Sequence, residues 1–425
     1  MLNATVTKGH SPRLNIGFDI PVPSAVQAHP EWVGAWEALR GLKGAEVQMA
    51  GDAIAGFSVD TAGLRSIAGT LRPEDRRFHE AVFESLSESC GSDSGDGLQV
   101  NFHQRPFDTD TRHWNFILNQ GHFFDYLLNR IYWYLGPKRG IVTPFPLHVD
   151  LETANTCNMN CPMCYRDQMK EVGQMELGLF QKAVDECARY RVFSLRLSWR
   201  GEPLTHPRIK EMVAYATARI KNVSFLTNAF YLDEAIVDCL IDHQVAYIAV
   251  SFDGIGRVYE SVRHPAKYAD SRDRLRRLIS RRRQAGSLRP QVRLCTVWPA
   301  VKDDPQAYAA AMGPVSDYMV ANPYINFSGP MTLKPDFICQ YPWERIMVGF
   351  NGKVQCCTGW NADDIILGNL ADSSITELWK SARMARIRRL HASGRRMQLN
   401  SCARCRHGSK GDPAVDIADI LARRH

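Results

Sequence analysis

The stretch Cys157-Asn158-Met159-Asn160-Cys161-Pro162-Met163-Cys164-Tyr165 decides how the rest of the chain is read. Three thiolates on one short loop can hold three irons of a [4Fe–4S] cube, and no fourth cysteine follows locally. One iron then stays open to a ligand that is not protein, which suits a reaction centre better than a simple electron wire. A zinc knuckle and scattered reduced thiols are the bland alternatives, although tetrahedral zinc needs a fourth ligand nearby. The apolar run Pro146-Leu147-His148-Val149-Asp150-Leu151 precedes the loop and reads as a strand, so the cysteines follow a strand end.

From residue 146 onward the pattern of strand, loop and helix repeats. Strand-like runs are Phe193–Leu197, Val223–Leu226, Val245–Val250, Val292–Val297 and Tyr324–Phe327, with helical patterns such as Phe180–Tyr190 and Asp233–His243 between them. With the strand before the cysteines this makes six βα units, an α/β arrangement that argues for a parallel barrel or part of one. Barrel enzymes place their sites at the carboxyl ends of the strands, where the cysteine loop falls. Cys187 and Cys239 sit on apolar helix faces and read as small core hydrophobes.

The chain has 425 residues, 45% hydrophobic and 23% charged, with a net charge of +7, enough for two or three domains. No apolar run approaches the ~20 residues of a membrane-spanning helix. Met1–Asp19 is polar and broken by a proline, unlike a signal peptide. Twelve cysteines without an export signal point to a reducing, cytoplasmic setting and to metal ligation over disulfides. Residues 1–86 mix short helices (Glu31–Leu42, Pro73–Leu86) with turns, and the Ser/Gly/Asp run 87–97 reads as a linker. The aromatic-rich helix His122–Leu135 reads as packed against the next domain, with an interfacial membrane helix as the rival. The basic runs Arg272–Arg283 and Arg383–Arg396 carry leucine or isoleucine at helical spacing. They read as solvated faces of packed helices, and no nucleic acid is expected.

The CxxxCxxC spacing followed by the aromatic Tyr165 resembles the signature of the radical SAM enzymes. The resemblance implies a [4Fe–4S] cluster on Cys157, Cys161 and Cys164 whose open iron chelates S-adenosylmethionine. It also implies a partial (β/α)6 TIM-like barrel. Further segments resemble the family's motifs in order. Ser198-Trp199-Arg200-Gly201-Glu202-Pro203 is similar to the GGEP motif, with Arg200 where the family usually has glycine; there Gly201 and Glu202 would hold the ammonium group. Thr227 and Asn228 look like the family's TN pair lining the cofactor pocket. Ser251 and Asp253 resemble the SxDG segment near the ribose and methionine, and Arg263 matches the arginine that meets the methionine carboxylate.

Cys339, the Cys356–Cys357 pair behind a predicted type I′ hairpin at Asn351-Gly352, and Cys402-Ala-Arg-Cys405 follow a single predicted helix Ser374–Leu390 or precede it. Together they resemble the SPASM/Twitch extension of the family. Its short form implies a second [4Fe–4S] cluster on Cys339, Cys357, Cys402 and Cys405. Cys356 is the alternative to Cys357, because adjacent strand residues face opposite ways, and a zinc ribbon is the alternative use of the four cysteines. The divisions expected are an α+β extension at 1–140, the barrel at 146–330, the cluster domain at 335–410 and a tail at 411–425. The resemblance implies an enzyme that abstracts a substrate hydrogen, most simply oxidising a small molecule or sugar with the second cluster as electron acceptor. Peptide modification or epimerisation are its alternatives, with Cys295 or the free member of Cys356/Cys357 as weak hydrogen donors. A flavodoxin- or ferredoxin-type electron donor is the expected partner. A plain iron–sulfur electron carrier is the rival of another class, against which Glu202, Ser251 and Arg263 count.

Overall fold

A computed structural model describes residues 2–7, 13–42, 45–60, 105–106, 108–325, 333–334, 337–359, 362–408 and 416–422. The expected helix 73–86 and linker 87–97 lie outside them. The inferred barrel is present as the middle of a ten-stranded sheet. Its strands are β6 (His148–Leu151), β7 (Ser194–Arg196), β8 (Asn222–Thr227), β9 (Tyr247–Ser251), β10 (Gln291–Val297) and β11 (Tyr318–Asn322). They run parallel in sequence order, and β11 meets the short antiparallel β5 (Arg105–Pro106) instead of closing on β6, so the barrel is partial.

The outer faces of these strands carry Val149, Leu195, Phe225, Ile248, Val250 and Leu294. Phe180, Val184 and Cys187 of the helix Leu177–Arg189 pack into the same cluster. Each of these side chains moves large apolar area out of water, the dominant favourable term in such a fold. Cys187 is fully buried as a core residue and Cys239 is partly buried against it.

Three expectations need correction. The sixth strand is Tyr318–Asn322 rather than 324–327: Tyr324 and Ile325 follow it, and 326–327 lie outside the described residues. The stretch Ser374–Leu390 forms two helices, Ile375–Trp379 and Ala382–Ala392, because Ser381 turns to an extended conformation and its hydroxyl caps the second. The hairpin at Asn351-Gly352 is real, but only Gly352 is left-handed (φ +80°). Its amide donates to the Gly349 carbonyl (2.9 Å), so the turn centres on Phe350 and Asn351, with glycine in the following position.

That hairpin also belongs to the barrel. Its first strand, β12 (Arg345–Val348), pairs in parallel with β6, and β13 (Lys353–Gln355) and β14 (Ile366–Asn369) extend the same sheet. Glu186 reinforces this junction. Its carboxylate accepts from the Ile375 and Thr376 amides (2.8 and 2.9 Å), satisfying free donors at the start of the helix Ile375–Trp379.

The N-terminal region contains more strand than its composition suggested. An antiparallel sheet in the order β1-β2-β4-β3 (Leu2–Thr7, Arg13–Val22, Ala53–Asp60, Glu46–Ala50) packs with the helices Pro30–Arg40, Asp110–Leu118 and Phe123–Arg139. The aromatic helix is packed, not interfacial: Phe123, Leu127, Ile131, Tyr132 and Leu135 are buried, and among the described residues no helix is long and apolar enough to cross a membrane. This second core runs on into the barrel interior through Ala249, Cys295, Tyr318 and Val320. Phe116 stacks on Tyr318, with ring centroids 5.4 Å apart. The N-terminal helices therefore cover the amino ends of the barrel strands. Of the basic runs, Arg282, Arg388 and Arg396 are buried, against the solvated faces expected. Arg282 meets Asp317 (2.5 Å), whereas Arg388 and Arg396 bond backbone carbonyls.

Candidate active site

The cysteine loop leaves β6 through Glu152, Thr153 and Asn155, all buried. It is tied to the next βα connection, where the Glu202 amide donates to the Thr156 carbonyl (2.7 Å). Gly201 makes that approach possible. Its φ is +71°, and a Cβ there would come within 2.5 Å of the Asn155 backbone. The departure at Arg200 is accommodated one residue earlier, since its guanidinium forks onto buried Glu152 at 2.5 and 2.7 Å and stacks over Trp199.

Glu202 is 1% exposed, and its carboxylate accepts from Thr227 Oγ1 (2.7 Å), the Asn228 amide (2.6 Å) and the Leu204 amide (3.1 Å). Burial nevertheless pushes its pKa up to about 7, as expected for a desolvated acid that a cation would return to its charged form. Thr227 and Asn228 thus hold Glu202 in place, and none of the three lines the large cavity. Asn228 also reaches the loop, its Nδ2 lying 2.9 Å from Asn158 Oδ1 and 3.8 Å from Cys157 Sγ.

Across the barrel mouth, Asp253 accepts from Arg263 Nε (2.6 Å) and the Val297 amide (2.7 Å). The same guanidinium presents Nη1 to Cys161 Sγ at 3.6 Å, and the nearby carboxylate holds its charge firmly in place despite burial. Two cysteine sulfurs therefore face nitrogen donors, while burial raises the Cys157 thiol. Carboxylate and guanidinium groups stand on either side of the loop, a donor set that fits the ammonium and carboxylate of an amino acid.

The second cysteine group is assembled by the C-terminal turns. Cys357 Sγ accepts from the Gly359 amide (3.1 Å), and burial first, then the neighbouring cysteines including Cys356, raise the Cys357 and Cys402 thiols. Cys356 is 1% exposed and packs in the main core, where burial pushes its thiol up to about 12. His391 was not foreseen. Its Nδ1 accepts from the Cys339 amide (3.3 Å), which leaves Nε2 as the N–H facing Cys402 Sγ at 3.4 Å. Among the described residues no three His, Cys, Asp or Glu side chains are grouped as for a single metal ion.

One cavity of about 880 Å3 joins the two groups. Met163 and Tyr165 of the first loop line it together with Ser251, Asp253, Arg263 and Cys295 from the barrel and Cys357 and Cys405 from the second group. Trp199 lines it as well and bonds the Thr358 carbonyl (3.1 Å), linking the two regions. Met163 and Trp199 carry no signature in the sequence; only the loop and the GGEP-like segment beside them do.

The radical SAM superfamily model matches residues 151–303, and the SPASM model, an iron–sulfur cluster-binding domain, matches residues 339–406. The chain is 28% identical over 123 residues to the antilisterial bacteriocin subtilosin biosynthesis protein AlbA of Bacillus subtilis, covering 28% of this chain and 27% of that protein. It is 31% identical over 111 residues to the PqqA peptide cyclase of Rhodopseudomonas palustris, covering 26% and 29%. The matched stretch thus spans less than a third of either relative. Among solved structures, SuiB of Streptococcus suis bound to S-adenosylmethionine is 11% identical with a TM-score of 0.46, over 69% of this chain and 90% of that one. The chain belongs to the radical SAM superfamily and carries a SPASM domain, so its cofactors are S-adenosylmethionine and [4Fe–4S] clusters.

Proposed function

We propose that the chain is an enzyme that abstracts hydrogen from a peptide substrate held in the cavity between its two cysteine groups. The observation that carries this is the shared cavity, lined at one end by Met163 and Tyr165 and at the other by Cys357 and Cys405. In this reading Cys157, Cys161 and Cys164 hold the first cluster and Cys339, Cys357, Cys402 and Cys405 the second. When bound, the first cluster and S-adenosylmethionine supply a 5′-deoxyadenosyl radical. Glu202 receives the cofactor's ammonium, Thr227 and Asn228 hold Glu202 in place, and Arg263, fixed by Asp253, meets its carboxylate. Tyr165 and Ser251 complete the pocket. A flavodoxin or ferredoxin delivers the electron.

A peptide is favoured because the relatives in the comparison are named for peptide products or substrates. A small molecule is the second reading, favoured by the cavity itself, whose volume lies within the ~300–1,000 Å3 of small-ligand sites. The extension 1–140, the barrel 146–330, the cluster domain 335–410 and the tail 411–425 are the divisions that go with this function.

The test uses reconstituted protein, S-adenosylmethionine, a reductant and synthetic precursor peptides deuterated at single residues. Deuterium should enter 5′-deoxyadenosine together with a mass change in the peptide. Deuterium transfer from a sugar or cyclitol, with none from any peptide, would establish the second reading in place of the first.

A further inference from the structure

The floor of the cavity carries charge that neither cluster nor S-adenosylmethionine accounts for. The inward positions at the amino ends of the barrel strands are His148, Ser194, Tyr247 and Arg293, where barrel interiors are ordinarily filled with branched apolar residues. Arg196 and Arg345 add two guanidinium groups from β7 and β12, and Arg130 adds another from the N-terminal helix Phe123–Arg139.

Asp150, fully buried, is the carboxylate these groups bond. It accepts from Arg196 (2.6 Å) and His148 (3.0 Å) and reaches Arg345 at a long 3.4 Å. Arg130 and Arg293 have no carboxylate partner among the described residues. Arg130 lies on the Trp133 ring, 4.0 Å from its centroid, and bonds only Asn129 Oδ1, while Arg293 lies 5.8 Å from the Tyr247 ring. The Nε atoms of Arg293 and Arg345 are buried without a hydrogen-bond partner. Glu344, whose charge Arg130 and Arg345 favour, is fully buried with neither carboxylate oxygen hydrogen-bonded, and burial raises its pKa. Four partly buried guanidinium groups thus line the cavity over two buried carboxylates, Asp150 and Glu344. Uncompensated buried charge is costly, and arginine's planar fork matches carboxylate and phosphate oxygens.

We infer that the floor of the barrel is an anion site, taking a carboxylate or phosphate group between Arg130, Arg293 and Arg345. The group is either an acidic portion of the substrate or a separate small anion that completes the floor. The inference needs no turnover, so it stands or falls apart from the proposed reaction.

Equilibrium dialysis of the reconstituted holoenzyme against inorganic phosphate and against glutarate should show one saturable site per chain. The dissociation constant should weaken at least tenfold in Arg130→Gln and in Arg293→Gln and stay unchanged in Arg277→Gln, on an exposed face. Should the glutamine variants fail to fold, the wild-type melting temperature carries the test, rising in phosphate relative to chloride at matched ionic strength. No saturable binding and no rise would overturn the inference, as would equal binding by folded Arg130→Gln, Arg293→Gln and wild type. In turnover assays, competition of these anions with substrate marks the site as part of substrate recognition. An unchanged substrate KM with bound anion marks a separate small anion.

Discussion

Glu202→Ala should all but abolish S-adenosylmethionine binding while leaving both clusters in place. The Glu202 carboxylate gathers the Thr227 hydroxyl and two backbone amides, so its position is fixed before any ligand arrives. Removing a buried carboxylate that pairs with a cation costs about 3 kcal/mol or more, roughly two orders of magnitude in Kd. The amides left behind add ~1–3 kcal/mol of lost stability each if water does not reach them. Glu202→Gln keeps one acceptor oxygen for the Thr227 hydroxyl and Leu204 amide but turns its NH2 toward the Asn228 amide, and should fold with a modest loss of stability while binding about tenfold more weakly. Calorimetry on the reconstituted variants, with iron content as the control, checks both. An alanine variant that binds like wild type would remove Glu202 from the site.

Cys357→Ala should separate the two halves of the reaction. The substitution leaves Cys157, Cys161 and Cys164, the proposed site of S-adenosylmethionine cleavage, untouched, so 5′-deoxyadenosine should still form at near wild-type rates. Product should be lost by at least two orders of magnitude, together with about four irons per chain. Cys356→Ala should keep the iron and the product, because its thiol packs in the core and not on the cavity. Its expected defect is a modest loss of stability from the small void it leaves. The reverse pattern in iron content and product would make Cys356 the ligand.

What the sequence made legible divides along physical lines. The cysteine loop, Gly201-Glu202, Asp253 and Arg263 could be read because each needs a particular residue at a particular place after a strand. The structure brings them together at the barrel mouth. The parallel strands were legible because apolar runs between helical patterns have few other interpretations. Tyr318–Asn322 was missed in favour of 324–327, since short apolar runs near a strand end look alike and only pairing with β10 separates them. The joining of β12 to β6 was invisible for the same reason, because sheet neighbours far apart in sequence leave no local signal. His391, Arg130 and Arg293 are ordinary residues in their own segments and acquire meaning only from what stands opposite. The 1–140 extension was expected as α+β, but its individual strands were not placed because their glycines and polar positions dilute the strand alternation.

Two separate cysteine groups facing one cavity should each hold a cluster. Iron and sulfide counting combined with Mössbauer spectroscopy tests it most directly, on the wild type and on variants with Cys157, Cys161 and Cys164, or Cys339, Cys357, Cys402 and Cys405, all replaced by alanine. The wild type should hold about eight irons as two [4Fe–4S] clusters, and each variant about four with the other cluster's spectrum intact. A wild-type protein with a single cluster, or one that binds zinc at the second group, would rule out the two-cluster assignment.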